Sequence, residues 1–507
     1  MTARAAVVTA SLVALLTGSV GLVWGTWAVG GSDSSCYGLM AQALARLAWQ
    51  PSSRLALDAP WPDAQLTFAP AGFVSSPVRD DAASPVCAPG FSLLAAPVMW
   101  AAGDRGLFWL SPLAGVALVW LAFLLGRRLA GEVAGTAAAL LTATSPILLY
   151  QVVQPMNDVA AAACWLAGLA ALVVPARRRI GLAGAAIGVA LLLRPNLLPA
   201  GAVLGVVVWA WQGRAAAFAF GASIVPFGLA VLALNDTLYG SPFGSGYGDA
   251  TALFALDNVP LNLARHLRAI FETQWGLPLL GAVAPWVLPA AARRAAWAML
   301  LLALAVVFCY LPYASFPEWW YLRFLLPAVV VLTVLASSVL TVGAGRVLPG
   351  RAAAAAVAVV VLAASAAQGR VAWARQVFVL HSLEARFRLV GEAVRDRLPP
   401  GTAAVAVWDS GSIRFGGGSE VVVWDSLAPD WLDRAVAWLR RRGPEPVIVV
   451  ERWEESAFRQ RFESQAFGAL DWPPRFDIDG RVRIFATGDR ARYLAGEAVP
   501  TETIWNR

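Results

Sequence analysis

Gly30-Gly31-Ser32-Asp33-Ser34-Ser35-Cys36-Tyr37 is the stretch on which the reading of this chain turns. It follows an apolar run over about residues 5–29, and about 20 such residues suffice to cross a bilayer. The run lacks a small-residue cleavage site, so it reads as a retained first span and not a removed leader. Asp33 is thereby a carboxylate held a few residues beyond a membrane surface. Two roles fit it. Asp is a favoured N-cap, and a helix over 37–44 follows; or the carboxylate is oriented for chemistry. The rest of the chain decides.

Of 507 residues, 59% are hydrophobic and 14% charged, against about a quarter charged in soluble proteins. Most of the chain is therefore solvated by lipid. Every one of the 39 basic residues is Arg, a usage that fits a GC-rich genome. The net charge of +7 does not signal nucleic acid, because the arginines follow a membrane topology. Two His and five Met give little support to a His-based metal centre or a thioether site.

Further apolar runs recur at about 107–125, 133–152, 159–174, 180–193, 197–211, 215–234, 277–291, 295–313, 322–342 and 352–367. With the first they predict about eleven transmembrane helices. The run 91–102 is too short to span and reads as an interfacial helix. Arg127-Arg128, Arg177-Arg178-Arg179, Arg214, Arg293-Arg294, Arg346 and Arg351 fall in alternate short loops. The positive-inside rule puts those loops and the N-terminus in the cytoplasm and the C-terminus outside. The opposite face then carries a long first loop (30–105), turns at 154–158 and 316–323, a loop over 235–275, and a tail.

The tail is richer in charge and broken by turns. Helices are expected over 384–397 and 429–442, and strands over 403–408, 446–451 and 482–485. The expected architecture is a polytopic α-helical membrane domain, 1–367, with an extracytoplasmic α/β domain, 368–507.

Ionisable groups in such a chain cost free energy unless paired or wet. Asp158 follows Gln154-Pro155-Met156-Asn157 at the mouth of a span; it either caps the next helix or serves chemistry. Arg194, in Arg194-Pro195-Asn196, opposes the positive-inside trend; it snorkels, pairs with Asp158, or binds an anion. Glu318-Trp319-Trp320-Tyr321-Leu322-Arg323-Phe324 has the look of an aromatic belt, which leaves Arg323 unexplained. A guanidinium fork suits a phosphate, a carboxylate suits a general base for a hydroxyl, and aromatic faces suit a sugar ring. Together they point to a lipid-linked phosphosugar.

At this point the chain resembles the GT-C-type polytopic glycosyltransferases, the class of the lipid A aminoarabinose transferase and the protein O-mannosyltransferases. The resemblance lies in Gly31-Ser32-Asp33-Ser34 with Tyr37 and Ala41-Gln42-Ala43-Leu44, in Pro89-Gly90-Phe91-Ser92-Leu93-Leu94-Ala95-Ala96-Pro97, in Pro155-Met156-Asn157-Asp158, in Leu193-Arg194-Pro195-Asn196, and in Tyr321-Leu322-Arg323-Phe324-Leu325-Leu326-Pro327. It covers nearly all of the membrane part. It implies sugar transfer from a polyprenyl-phosphate donor to a lipid, glycan or protein acceptor, on the outer face of a bacterial cytoplasmic membrane, without a nucleotide. The first-loop acid of that family is the base, here Asp33. Family members often carry two adjacent acids there, whereas Ser34 follows Asp33, so a metal bridged by an acidic pair is not expected and a divalent ion is left open. Asp158 is the candidate second acid.

Arg194 and Arg323, with His266 and Arg268 behind them, are the expected phosphate ligands. Tyr37, Gln154, Asn196, Trp320 and Tyr321 are the expected substrate contacts. A one-step displacement at the anomeric carbon predicts inversion. The competing reading is a transporter or flippase for a polyprenyl-linked glycan, which needs polar groups along a path through the bilayer; here they gather at one face. A third, a mere anchor for the tail, leaves Arg194 and Arg323 unused. Of four cysteines, Cys164 and Cys309 fall within spans. Cys36 and Cys87 share the first outer loop, and a bridge between them is expected.

Overall fold

The computed structural model describes residues 2–173, 177–248 and 253–506. Val174, the end of one expected span, lies outside the described residues, as do 249–252 of the expected 235–275 loop and the side chains of Arg177 and Arg178. The chain forms two compact units. One comprises Met1–Gly25, Phe108–Ala233 and Tyr247–Val379; the other comprises Thr26–Leu107, Leu234–Gly246 and Leu380–Arg507. The division falls after Val379 and not at 367, because the helix Gly350–Ala374 runs unbroken through that point.

The first unit is helical. Ala3–Val23, Asp104–Ala143, Arg214–Tyr239, Ala290–Tyr310, Trp319–Val347 and Gly350–Ala374 are long and apolar enough to cross a membrane. Pro146–Val152 and Asn157–Val173 make a seventh if taken together, bent by 117° at their break. By length and composition six or seven helices are thus long enough to span, against the eleven apolar runs expected to do so. The apolar runs are real, and backbone breaks fall between several of them. Gly131, at φ +85° with Ala130 beside it at φ −146°, interrupts Leu110–Ala143 between the expected runs 107–125 and 133–152; Pro195 separates the runs 180–193 and 197–211, and Pro289 cuts into the run 277–291. The 177–193 and 198–212 helices have 17 and 15 residues. The expected loop 235–275 instead holds the amphipathic helix Asn258–Gln274.

In the second unit the first loop supplies a two-stranded antiparallel sheet, β1 (Phe73–Ser75) with β2 (Ala83–Pro85). The tail supplies six strands: β3 (Ala404–Val405), β4 (Val421–Val422), β5 (Val447–Glu451), β6 (Phe476–Ile478), β7 (Val482–Ala486) and β8 (Glu502–Ile504). They form one mixed sheet in the order β4-β3-β5-β7-β6-β8. β5 is apolar at successive positions because both faces are covered. Val447 and Val449 pack with Val390, Val394 and Ile484. Ile448 and Val450 pack with Trp438, Phe458 and Phe485, and with Trp61 and Phe68 of the first loop. Burying each such Trp or Phe contributes roughly 2–3 kcal/mol before entropy is counted.

The expected tail helices and strands appear as Leu380–Arg397, Leu432–Arg440, β3, β5 and β7. Ser410–Gly417, Glu455–Arg461, β4, β6 and β8 were not legible, being short and without a clear period.

Candidate functional site

Asp33 sits in the second unit, in the first turn of a helix that starts at Gly31 and runs to Ala45, six residues earlier than expected. The N-cap is Gly30, which makes no side-chain cap. Asp33 is therefore not the capping residue; it is a half-buried acid near the positive end of the helix dipole. Glycine is required at the entry. A Cβ on Gly30 would meet the Phe387 ring at 2.1 Å, and Gly31 has φ +59° with Trp408 at 3.3 Å.

One turn later Cys36 is bonded to Cys87, with Cα atoms 6.1 Å apart. Tyr37 packs edge-on against Phe91 at 5.2 Å, and its carbonyl accepts from the Ser92 hydroxyl at 2.9 Å. Gln42 donates to Asp104 at 3.1 Å. Asp33 thus leaves a helix clamped at both ends of its first two turns.

The first unit holds the basic and aromatic residues. Arg194 ends the 177–193 helix. Its guanidinium donates to the Asp158 carboxylate, to Asn157 Oδ1 at 3.2 Å and to the Tyr310 hydroxyl at 2.6 Å. Asn157 in turn donates to Leu193 O at 3.0 Å, fixing the two helix ends together. The Asp158 side chain is 0% exposed and that of Arg194 11%. Of the readings open for Arg194, pairing with Asp158 is therefore realised. Asp158, expected as a catalytic acid, thus has no surface with which to touch an acceptor and meets only its buried partners. Its second oxygen is buried with no hydrogen-bond partner among the described residues.

Around this pair the aromatics stack. Tyr310 lies parallel to Phe324 at 5.1 Å, and Phe316 parallel to Tyr321 at 4.1 Å. The Arg194 guanidinium lies 5.3 Å from the Phe324 ring, and that of Arg323 lies 5.2 Å from both Tyr321 and Phe324. The tryptophans are thus wall as much as belt: Trp320 stacks on Tyr150 at 5.9 Å.

These rings line a cavity of about 480 Å³, closed on the other side by one face of the Asn258–Gln274 helix. Asn262, Arg265, His266, Ala269 and Glu272 share that face at helical spacing. Asn262 fixes it by donating to the carbonyls of Leu311 and Tyr313 at 2.9 and 2.6 Å. Burial pushes His266 down to about 4, against a hydrogen bond to the Tyr310 backbone, so its imidazole is uncharged near neutrality. Its Nε2 is buried without a partner among the described residues. Glu272 bridges Arg268 at 2.6 Å and Arg375 at 2.7 Å; the Arg268 bond above all holds its carboxyl low.

His266, Arg268, Trp320 and Tyr321 are thus gathered at one cavity, and Arg323 lies against its wall. Gln154, donating to Tyr150 O at 2.9 Å, and Asn196, in the turn after Arg194, do not line it. Arg265, Glu272, Tyr310, Phe324 and Arg375 do, and sequence reading missed them. The recurrence of polar groups at 262, 265, 266 and 272, on one helical face, was the signal. Among the described residues no group of three or more His, Cys, Asp or Glu is gathered as a metal-holding set, so no step is assigned to a metal.

No family model and no curated protein matches the sequence. Solved structures do. ArnT from Cupriavidus metallidurans bound to undecaprenyl phosphate matches with TM-score 0.57 at 14% identity, covering 90% of this chain and 95% of that one. The oligosaccharyltransferase AglB from Archaeoglobus fulgidus, in complex with an inhibitory peptide and a dolichol-phosphate, matches with TM-score 0.56 at 12% identity, covering 92% and 71%. The same archaeal enzyme in complex with Zn and sulfate gives TM-score 0.56 at 14% identity, covering 89% and 69%. The chain therefore has the fold of the GT-C-type polytopic membrane glycosyltransferases.

Proposed function

We propose that this protein transfers a sugar from a polyprenyl-phosphate donor to an acceptor hydroxyl, with inversion, on the outer face of a bacterial cytoplasmic membrane. One observation carries the reading: a cavity of about 480 Å³ combining stacked aromatic walls with several arginines, beside an arginine locked by a buried carboxylate. Guanidinium forks suit a phosphate diester, and ring faces suit a sugar. The similarity to structures holding undecaprenyl phosphate and dolichol-phosphate supports that donor class.

Arg194 and Arg323 take the donor phosphate, with Arg268 and the uncharged His266 as further hydrogen-bond donors. Trp320 and Tyr321 face the sugar, while Tyr37, Gln154 and Asn196 contact substrate outside the cavity. Asp33 takes the proton of the acceptor hydroxyl as its oxygen bonds to the anomeric carbon. The bond from that carbon to the phosphate oxygen breaks, and its electron pair leaves on the lipid phosphate. General-base assistance of this kind supplies about two to four orders of magnitude.

The test is to incubate membranes carrying the protein with a panel of radiolabelled polyprenyl-phosphate sugars and to identify which label moves and onto what. Asp33→Asn should bind donor and lose transfer by at least about a hundredfold. Label that crosses the membrane still attached to its lipid would instead establish the transport reading.

A further inference from the structure

The helices that carry Asp158, Arg194 and Tyr310 at one end carry a second basic region at the other. Asn157–Val173 begins beside Asp158 and ends at Leu172 and Val173; Arg177–Leu193 begins near Arg179 and leads into Arg194; Ala290–Tyr310 begins near Arg294 and ends at Tyr310. The last has 21 residues, ~31 Å at 1.5 Å per residue, which is about the thickness of a bilayer's hydrocarbon core.

Two cavities lie at that far end. One, of about 630 Å³, is lined by Arg128, Leu129, Leu172, Trp211, Pro289 and Arg294 among others. The second, of about 660 Å³, is lined by Leu124, Leu125, Arg127, Arg128, Arg179 and Leu182 among others. Arg128 and Val173 line both, so the cavities adjoin. Arg127 is engaged with Glu132 at 2.8 Å. Arg128, Arg179 and Arg294 make no ion pair among the described residues. Each cavity therefore joins leucine walls to cationic forks that the protein's own carboxylates do not neutralise.

We propose that this pair of cavities binds one anionic glycerophospholipid bearing two phosphates, of the diphosphatidylglycerol class. Charge complementarity selects the ligand. Basic recesses between spanning helices suit anionic headgroups, and guanidinium forks grip phosphate oxygens bidentately. Arg294 faces a phosphate in the first cavity, Arg179 faces one in the second, and the shared Arg128 lies between the two. The acyl chains run along Leu124, Leu125, Leu129 and Leu182. The site is independent of the glycosyl-transfer reading, since none of its residues belongs to the aromatic cavity.

The full-length protein is delipidated in mild detergent, offered diphosphatidylglycerol, phosphatidylglycerol or phosphatidylcholine, and examined by native mass spectrometry. One diphosphatidylglycerol per chain should be retained, at least tenfold better than phosphatidylglycerol, with phosphatidylcholine lost. Arg128→Gln with Arg294→Gln should cut retention at least tenfold. The Lys pair, which keeps charge but loses the fork, should fall between. Arg351→Gln, at a basic position outside both cavities, should leave retention unchanged. Thermal transitions identify any variant that misfolds, and the Lys pair then decides. Equal retention of the one- and two-phosphate lipids would overturn the proposal. So would full retention by the Gln pair or the Lys pair, or an equal loss in Arg351→Gln.

Discussion

Asp158 and Arg194 form a buried ion pair at the meeting point of two helix ends, the carboxylate with none of its side chain exposed. Removing one member of such a pair leaves an uncompensated charge and typically costs about 3–5 kcal/mol. Asp158→Ala should therefore lower the thermal midpoint in detergent strongly. Asp158→Ala combined with Arg194→Met should recover much of the loss of stability while leaving donor affinity poor. A double variant no more stable than Asp158→Ala would show that the pair is not the source of the effect.

Arg323 lies over two ring faces, where a planar guanidinium stacks and an ammonium does not. Arg323→Lys should raise the KM for the lipid donor by about tenfold, equivalent to ~1.4 kcal/mol, with expression and thermal midpoint unchanged. Steady-state kinetics on the labelled donor reads this directly. Unchanged KM in both Arg323→Lys and Arg194→Ala would move the phosphate elsewhere.

The Cys36–Cys87 bond spans a sequence separation of 51. Closing a loop of that length restricts the unfolded chain by about 4 kcal/mol in the loop-entropy account. Cys36→Ser with Cys87→Ser should lower the stability of the unit bearing Asp33 by about that amount, and reduction of the native protein should do the same. Intact-mass mapping without reductant should recover the two cysteines in one linked peptide pair; two free thiols in purified protein would refute the bridge.

Burial pushes the Glu454 carboxyl up to about 7, with the charges of Glu451 and Asp425 adding to it and the backbone N–H groups of Glu451 and Trp408 opposing. Nearby Asp409 is buried with neither oxygen partnered among the described residues. It is held well above the carboxylate range by burial, by Glu451 and Glu454, and by Glu384, against Arg386. A raised folded-state value means that the folded form keeps a proton the unfolded chain releases. Glu454's contribution to stability is thus complete below about pH 4.5 and is lost as pH rises through 7. Glu454→Gln should flatten the fall in stability between about pH 4 and 8 by roughly 3 kcal/mol. Denaturant unfolding followed by tryptophan emission at the two pH values measures it, and an unaltered slope would exclude Glu454 as the titrating group.

How much of this was written in the sequence depends on the range over which each feature is decided. The apolar runs, the arginines placed between them, the both-faces-buried β5 and the candidate bridge of Cys36 with Cys87 are local or compositional, so they could be read from residue type and period. So could the candidacy of Arg194, Arg323, His266 and Trp320 as site residues, since ionisable and polar groups in an apolar chain stand out.

Tertiary structure decided the rest. The bend of 117° between Pro146–Val152 and Asn157–Val173, and the break at Gly131, fall between apolar runs, and only the structure shows how the helices continue across them. Apolarity alone does not say where a backbone turns. Asp158 and Arg194 lie 36 residues apart, and only the packing of their helix ends made the acid a buried ion-pair partner. The amphipathic helix Asn258–Gln274 was hidden in an expected loop, because the polar face formed by Asn262, Arg265, His266 and Glu272 has meaning only against the aromatic wall it covers. Asp33 showed both limits. Its position after the first span is local, but the helix start at Gly30 lies against the Phe387 ring, more than 350 residues away in sequence, which leaves no room there for a Cβ.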